Sequence, residues 1–184
     1  EVGARRKTAA RSARRKGPFS RSDAEREIES ARTPEEVTDV FFAFGSQFFE
    51  YSALFVVHGD LVEGRDAWGP GADHHRVLGL GVPIDLPSSL AIVRKEGHVL
   101  LSRFDEHDLD KELLRDLDRV RVRPRTSALV PLTIKARAVA MLYGDDGESD
   151  VTLASLGDLL GFSALASSQL ERIALAKKSK SGRS

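Results

Sequence analysis

The sequence predicts an α+β fold in which an antiparallel sheet is flanked by N- and C-terminal helices. Three observations carry that prediction. Two pairs of apolar runs, Tyr51 to His58 with Leu61 to Trp68 and Thr126 to Ile134 with Ala138 to Gly144, are each joined by a short turn. That spacing is a hairpin's, and hairpins impose antiparallel pairing. Well-capped helical segments precede the first pair, and a long leucine-bearing segment follows the second. Helices at both ends of one such sheet make a sandwich, with the helices packed mainly on one face.

The elements are justified in chain order. Ser22-Asp23-Ala24-Glu25 has the S-x-x-E capping-box pattern and opens a short charged helix to about Ala31. Thr33 is the expected N-cap of a second helix, with Pro34 at its first position and Glu36 at N3. Behind that cap, Val37, Val40, Phe41, Phe44 and Phe48 recur at helical spacing, and Phe42 and Phe49 widen the stripe. Tyr51 to His58 is rich in β-branched and aromatic residues, Gly59-Asp60 is a turn, and Leu61 to Trp68 alternates loosely. Gly69-Pro70-Gly71 ends the hairpin, and Ala72 to Leu80 fits neither period. Gly81 to Leu86 reads as a short strand whose Pro83 belongs at an edge or a bulge. A short helix is expected over Ser89 to Lys95, with Gly97 as its stop, followed by a strand over His98 to Phe104. Asp108 to Arg119 is amphipathic, with Leu109, Leu113, Leu114 and Leu117 on one face and its acids early, as the helix dipole favours. The second hairpin turns at Lys135-Ala136-Arg137 and ends at Asp145-Asp146-Gly147. From Val151 to Ala176 one long helix or two stacked ones are expected, with Gly157 and Gly161 allowing close approach or a kink.

The 184 residues suit one domain with tails, large enough to form a core without a disulfide or metal staple. Lys plus Arg and Asp plus Glu both number 28, so the formal net charge is zero. That neutrality hides a segregation. Residues 1–21 hold eight basic residues and one acid, a net of +7, and residues 177–184 hold four basic residues and no acid. The intervening body is −11. The N-terminal stretch lacks apolar periodicity and cannot bury enough surface to offset its ordering entropy. It reads as a basic flexible linker over 1–21, then a short charged helix or linker over 22–32, the domain over 33–176, and a basic disordered tail over 177–184. An arm for nucleic acid or anionic lipid is the alternative for the tails. No aromatic residues interleave with the basic ones, so nucleic acid is not the expected partner.

With no cysteine, thiolate nucleophiles, Cys-ligated zinc, iron–sulfur clusters and thioether-linked chromophores are excluded. Uninterrupted apolar runs such as Ala53 to Val57 are far below the roughly 20 residues of a membrane span. No leader pattern is visible, and the cytoplasm is the expected compartment. Asp73-His74-His75 and Asp105-Glu106-His107-Asp108 bring metal-ligating types together, but neighbours on a loop diverge, and neither has the i, i+4 spacing of helical zinc ligands. His58 beside Gly59 reads as a turn histidine. No G-x-S-x-G, H-E-x-x-H or Walker loop is present, so no catalytic residue, metal or cofactor is expected and the chain is not expected to be an enzyme.

Three segments carry a resemblance. Gly81 to Ile92 (GVPIDLPSSLAI), Thr126 to Gly144 (TSALVPLTIKARAVAMLYG) and Val151 to Ala176 resemble a GAF domain, over roughly residues 33 to 176. Ser127 to Leu132 matches that family's strand ending in VPL. Ala138 to Gly144 matches its G-V-L-x-L strand, with Ala138 where glycine is usual. The resemblance implies a six-stranded antiparallel sheet with helices behind, a small-molecule pocket in front, and a sensory or regulatory role in a larger signalling protein. The N-K-x-F-x-D-E signature of cyclic-nucleotide-binding members has no counterpart, and no cysteine exists to attach a bilin. A ligand-free or protein-binding member is therefore expected, with a nucleotide or metabolite sensor as the alternative.

By the same analogy a pocket would be lined by Ile84, Asp85, Leu90, Arg94, Leu101 and Arg103, with Trp68 at its mouth, more readily as a plug than as a stacking platform. Arg94 and Arg103 could hold an anion. Val37, Val40, Phe41, Phe44 and Phe48, with Leu156 and Leu160 of the last helix, are the candidate interaction residues. Each reads individually as core. Yet six phenylalanines fall between 41 and 55, more than one helix-on-sheet face easily absorbs, and an exposed aromatic surplus points to a homodimer or another signalling protein as partner.

Overall fold

The computed structural model describes residues 18–181. Residues 1–17 of the basic N-terminal stretch and residues 182–184 lie outside the described residues. The described chain forms helices α1 (Arg21–Ser30) and α2 (Pro34–Gly45), then strands β1 (Tyr51–His58) and β2 (Leu61–Trp68). Next come a short helix α3 (His74–Leu78), β3 (Gly81–Pro83), α4 (Ser89–Glu96), β4 (Leu100–Ser102) and α5 (Asp108–Asp116). The chain closes with β5 (Ser127–Ile134), β6 (Arg137–Asp145) and the 25-residue α6 (Gly157–Ser181). The strands make one six-stranded sheet in the order β3-β2-β1-β6-β5-β4, antiparallel throughout.

Both hairpins form where the pattern put them. Gly59 takes φ +59° at the first turn. At the second, Lys135 and Ala136 both adopt positive φ, 50° and 61°. That is the twist-matched two-residue turn, here built without glycine. The sequence had spread this turn over three residues; Arg137 belongs to β6, paired with Ile134.

The edge strands are shorter than expected. Strand β3 stops at Pro83, because proline has no N–H to continue a ladder and the chain leaves through Ile84, whose N–H donates to the Asp60 carbonyl. The expected His98 to Phe104 strand contracts to Leu100–Ser102, and Phe104 turns away with φ 56°. The unassigned stretch before β3 contains α3, capped by the Asp73 side chain accepting from the Arg76 N–H.

The helices cover both faces of the sheet, which corrects the one-faced sandwich. Behind it, α1, α2 and α6 bury Ile28, Val37, Phe41, Phe42, Phe162 and Leu170 against Leu54, Val130 and Leu142. In front, α3, α4 and α5 bury Val77, Leu90, Val93 and Leu113 against Tyr51, Phe55, Leu129, Met141 and Tyr143. The alternation of β1 feeds both sides, Leu54 pointing back and Phe55 forward.

The rear layer absorbs five of the six phenylalanines, and Phe55 faces front. Helix α2 touches β6, α1 and α6, so Phe41, Phe42 and Phe44 are all buried although they lie on different sides of the helix. The Phe44 ring lies 4.5 Å from that of Phe162 and 5.3 Å from that of Phe48, centroid to centroid. Phe49 packs so tightly over Gly144 that a Cβ there would fall 2.3 Å from its ring. No aromatic surplus is left for a partner: of the named interaction residues, Val37, Phe41, Phe44 and Leu156 are buried in the chain's own core, and only Val40, Phe48 and Leu160 are half-buried.

Both ends of the domain extend past the expected boundaries. The N-cap of α1 is Ser20, not Ser22; its Oγ accepts from the Asp23 N–H at 3.1 Å. Ala24 and Ile28 are fully buried, and Gln169 of α6 donates to the Ala31 carbonyl at 2.9 Å. Gln47 clamps the Phe19 main chain, accepting from its N–H at 2.7 Å and donating to its carbonyl at 3.0 Å. The charged helix is thus part of the core rather than a linker, because its i, i+4 pair Ala24 and Ile28 faces α2 and α6. At the other end α6 continues through Lys177, Lys178 and Lys180, so residues 177–181 are helical.

Candidate functional site

Two features stand on the front half of the molecule: a buried polar network and an open groove. The network is built at the ends of β5 and β6. Just beyond α5, the chain turns through Asp118 at φ 57° and sends Arg119 inward. Its Nε and Nη2 donate to the two carboxylate oxygens of Asp145 at 2.9 and 2.6 Å, a bidentate pair with both side chains almost wholly buried. The guanidinium also lies 4.1 Å from the centre of the Tyr51 ring, within cation–π reach. Tyr143 donates its hydroxyl to Asp145 at 2.8 Å and meets Ser127 Oγ at 2.9 Å, and the Gly147 N–H closes on Asp145 at 2.9 Å.

Burial pushes the Tyr51 hydroxyl up to about 12, with Arg119 pulling it down and the Asp145 carboxylate raising it. Tyr143 is held well above the usual tyrosine value, first by burial and then by the Asp145 charge. Burial opposes the charge on Arg119, but the hydrogen bonds and attraction of Asp145 outweigh it and raise its pKa. Each Asp145 oxygen accepts from two donors, and the network ties the loop between α5 and β5 to the end of β6.

A second buried carboxylate, Asp110, accepts from the Ser89 N–H at 2.8 Å and from its hydroxyl at 2.7 Å, fastening α5 to the first turn of α4. Together with Phe104, Leu113, Leu117 and Met141, these contacts fill the front of the sheet with the chain's own side chains.

The groove lies outside α4. It has a volume of about 600 Å³ and is bounded by the Gly59-Asp60 turn, the segment from Ile84 to Ser88, the outer side of α4, His107 and Arg137. Of the expected pocket residues, Ile84, Asp85 and Arg94 line it. The others do not. Leu90 faces inward and is buried in the front core. Leu101 packs on the rear cluster, on the opposite side of the sheet. Arg103 is exposed beyond β4. Trp68, 54% exposed, pairs with Ser52 at the far end of β2 from the Asp60 turn, so it is neither mouth nor plug of this groove. A second concavity of about 410 Å³ lies behind, between α6 and the β4–β5 edge, lined by Val99, Pro131, Leu160 and Ala164 among others.

Of the histidine clusters, the run from Asp105 to Asp108 places His107 on the groove. His74 Nδ1 is 3.5 Å from Asp66 and His58 Nδ1 is 2.6 Å from Glu63 across the first hairpin. Among the described residues no group of three or more His, Cys, Asp or Glu side chains is placed to hold a metal ion. Among the same residues no helix is long and apolar enough to cross a membrane.

Sequence reasoning missed Arg119, Asp145, Tyr143 and Asp110. Asp145 stood in an Asp-Asp-Gly run and read as a turn, and Arg119 read as a helix-end cation. Only the long-range pairing of β5 with β6 brings them together.

An antiparallel sheet in the order 3-2-1-6-5-4, covered by helices on each face, defines a small α+β sandwich. The chain adopts the GAF fold. No known family profile matches the sequence, and no curated protein sequence matches it either. The solved structures supply the match. A methyl-accepting chemotaxis protein fragment, residues 122 to 287, superposes with a TM-score of 0.63 at 16% identity, covering 84% of this chain and 97% of that one. A GAF domain/HD domain protein from Geobacter sulfurreducens gives 0.63 at 12% identity, over 80% of this chain and 98% of that one. The phycocyanobilin-bound GAF domain of a cyanobacterial phytochrome gives 0.63 at 12% identity, over 87% and 98%. At such identities the likeness concerns the fold.

Proposed function

We propose that this domain is a non-enzymatic cytoplasmic signalling module that acts by self-association through the outer side of α6. The similar structures come from a chemotaxis receptor and other signalling proteins, among them a two-component sensor histidine kinase from Bacillus halodurans. The observation that carries the reading is the contrast between the two sides. The front is packed with the chain's own side chains, whereas α6 extends past the core, its residues from Leu175 onward exposed and Leu175 itself at 64%. Ala164 and Ser168, exposed about two turns and one turn before Arg172, leave room for a partner helix to approach. A heterologous signalling protein could use the same surface. Sedimentation equilibrium tests the proposal: a concentration-dependent dimer is expected, weakened by Leu175→Asp and by Ala164→Glu. Both positions are exposed, so neither change should lower the melting temperature at concentrations where the chain is monomeric. Phe44→Asp would be uninformative, because Phe44 belongs to the core.

A second reading, a small-molecule sensor, is favoured by the groove outside α4, whose size falls in the range of ligand sites, roughly 300–1,000 Å³. A rise in melting temperature with a metabolite panel is its test.

A further inference from the structure

The charges of the groove point to a particular class of ligand. The body of the chain is acidic, and half of its sixteen cations lie beside a carboxylate. Arg26, Arg65, Arg76, Lys111, Arg115, Arg119, Arg121 and Arg125 each lie within 4.0 Å of a carboxylate. Arg94, Lys95 and Arg137, all lining the groove, form no such pair among the described residues. Two separate elements bring them together. The end of α4 closes on the β5–β6 turn so tightly that a Cβ on Gly97 would meet the Ala136 carbonyl oxygen at 2.3 Å. Arg94 reaches across and donates through Nη1 to the Ala138 carbonyl. Three like charges therefore share one rim, with mutual repulsion that a bound anion would relieve.

Arg94 and Lys95 also complement the carbonyl end of α4, which would explain them without a ligand. Arg137 has no such role and stands on another element. Arg94 is half-buried and already tethered by one N–H, so its remaining donors are held in place and little rotamer freedom is lost on binding. Ile84, Ala91 and Ile92 supply an apolar surface alongside. Asp60 and Asp85, lining the same groove, would repel a second anionic group.

We propose that this groove binds an organic anion with a single charged head, a carboxylate or a phosphate monoester, and an apolar body. The assignment rests on the sensor reading of the groove and narrows it to one chemistry. With its head on the three cations, such a ligand would lay its body against Ile84 and Ile92, which line the same groove.

The test uses the full chain with four probes of similar shape: benzoate, phenyl phosphate, benzamide and benzylamine. Titration is followed by amide chemical shifts and calorimetry. Saturable shifts confined to Ile84–Lys95 and the Arg137 neighbourhood are expected with benzoate or phenyl phosphate, and the tighter of the two identifies the head group. The Lys95→Gln/Arg137→Gln double variant, exposed at both positions, should keep its melting temperature and weaken binding about tenfold. Raising salt should weaken it as well. Benzamide or benzylamine binding there as tightly would overturn the anion assignment and leave the sensor reading standing. Failure of all four to bind would overturn both. Benzoate binding unchanged in the double variant would overturn the placement.

Discussion

Arg119 and Asp145 form a bidentate ion pair, 2.9 and 2.6 Å long, between a loop and the last residue of β6, with almost no exposure of either side chain. Removing one partner leaves a buried charge without its counterion, so Arg119→Met should cost about 3–5 kcal/mol in urea unfolding. The Arg119→Met/Asp145→Leu double variant should recover part of that loss, since it removes both charges. Equal stability of the single variant and the parent would show that the pair is not buried as described.

The two tyrosines of the chain give that network a spectroscopic signature. Tyr51 and Tyr143 are both raised above 10, so the folded state keeps protons that the unfolded state releases. Their contribution to stability is complete below pH of about 10 and is lost as pH rises through the folded-state value, about 12 for Tyr51. Phenolate absorbance should show no ionisation step near pH 10 and should rise together with the loss of circular dichroism. Tyr51→Phe should make the alkaline decline less steep. A normal tyrosine step in the folded protein would contradict the burial.

Asp110 joins α5 to α4 through both of its oxygens on Ser89. Asp110→Ala strands the Ser89 N–H and hydroxyl in a buried site, at about 1–3 kcal/mol. Hydrogen exchange should quicken in α4 and α5 while β5 and β6 keep their protection. Faster exchange throughout would mean that Asp110 holds the whole core rather than this junction.

Phe19 and α1 pack into the rear core, well before the Pro34 helix. Ile28→Ala should cost about 2–5 kcal/mol, as for a core isoleucine. A chain starting at Thr33 should melt lower and expose the surface of α2 and α6 that α1 covers. A truncated chain as stable as the parent would return α1 to the status of a linker.

The fold was legible in the sequence wherever local chemistry decides it. Thr33-Pro34-x-Glu36 gave a cap, and the structure has Thr33 Oγ1 accepting from the Glu36 N–H and Glu36 reaching back to the Arg32 N–H. The two hairpins were legible for the same reason, as runs around a turn. What was not legible depends on partners remote in sequence. The second layer of helices on the front could not be read from Leu113 or Val93 singly, because an amphipathic stripe does not say which face of a sheet it covers. Six phenylalanines looked like a surplus because the packing of α2 against α1 and α6 as well as the sheet was not foreseen. For the groove, Ile84, Asp85 and Arg94 were reached by analogy, while Arg137 was not, since its place beside Arg94 follows from the closure of Gly97 on Ala136.

The central claim is that the uncovered side of α6 is an interface. Sedimentation equilibrium of the chain across a hundredfold concentration range tests it most directly. A reversible dimer is expected, one that Leu175→Asp weakens without lowering the melting temperature at concentrations where the chain is monomeric. A strictly monomeric chain at every concentration, or a dimer indifferent to Leu175→Asp and Ala164→Glu, would contradict it.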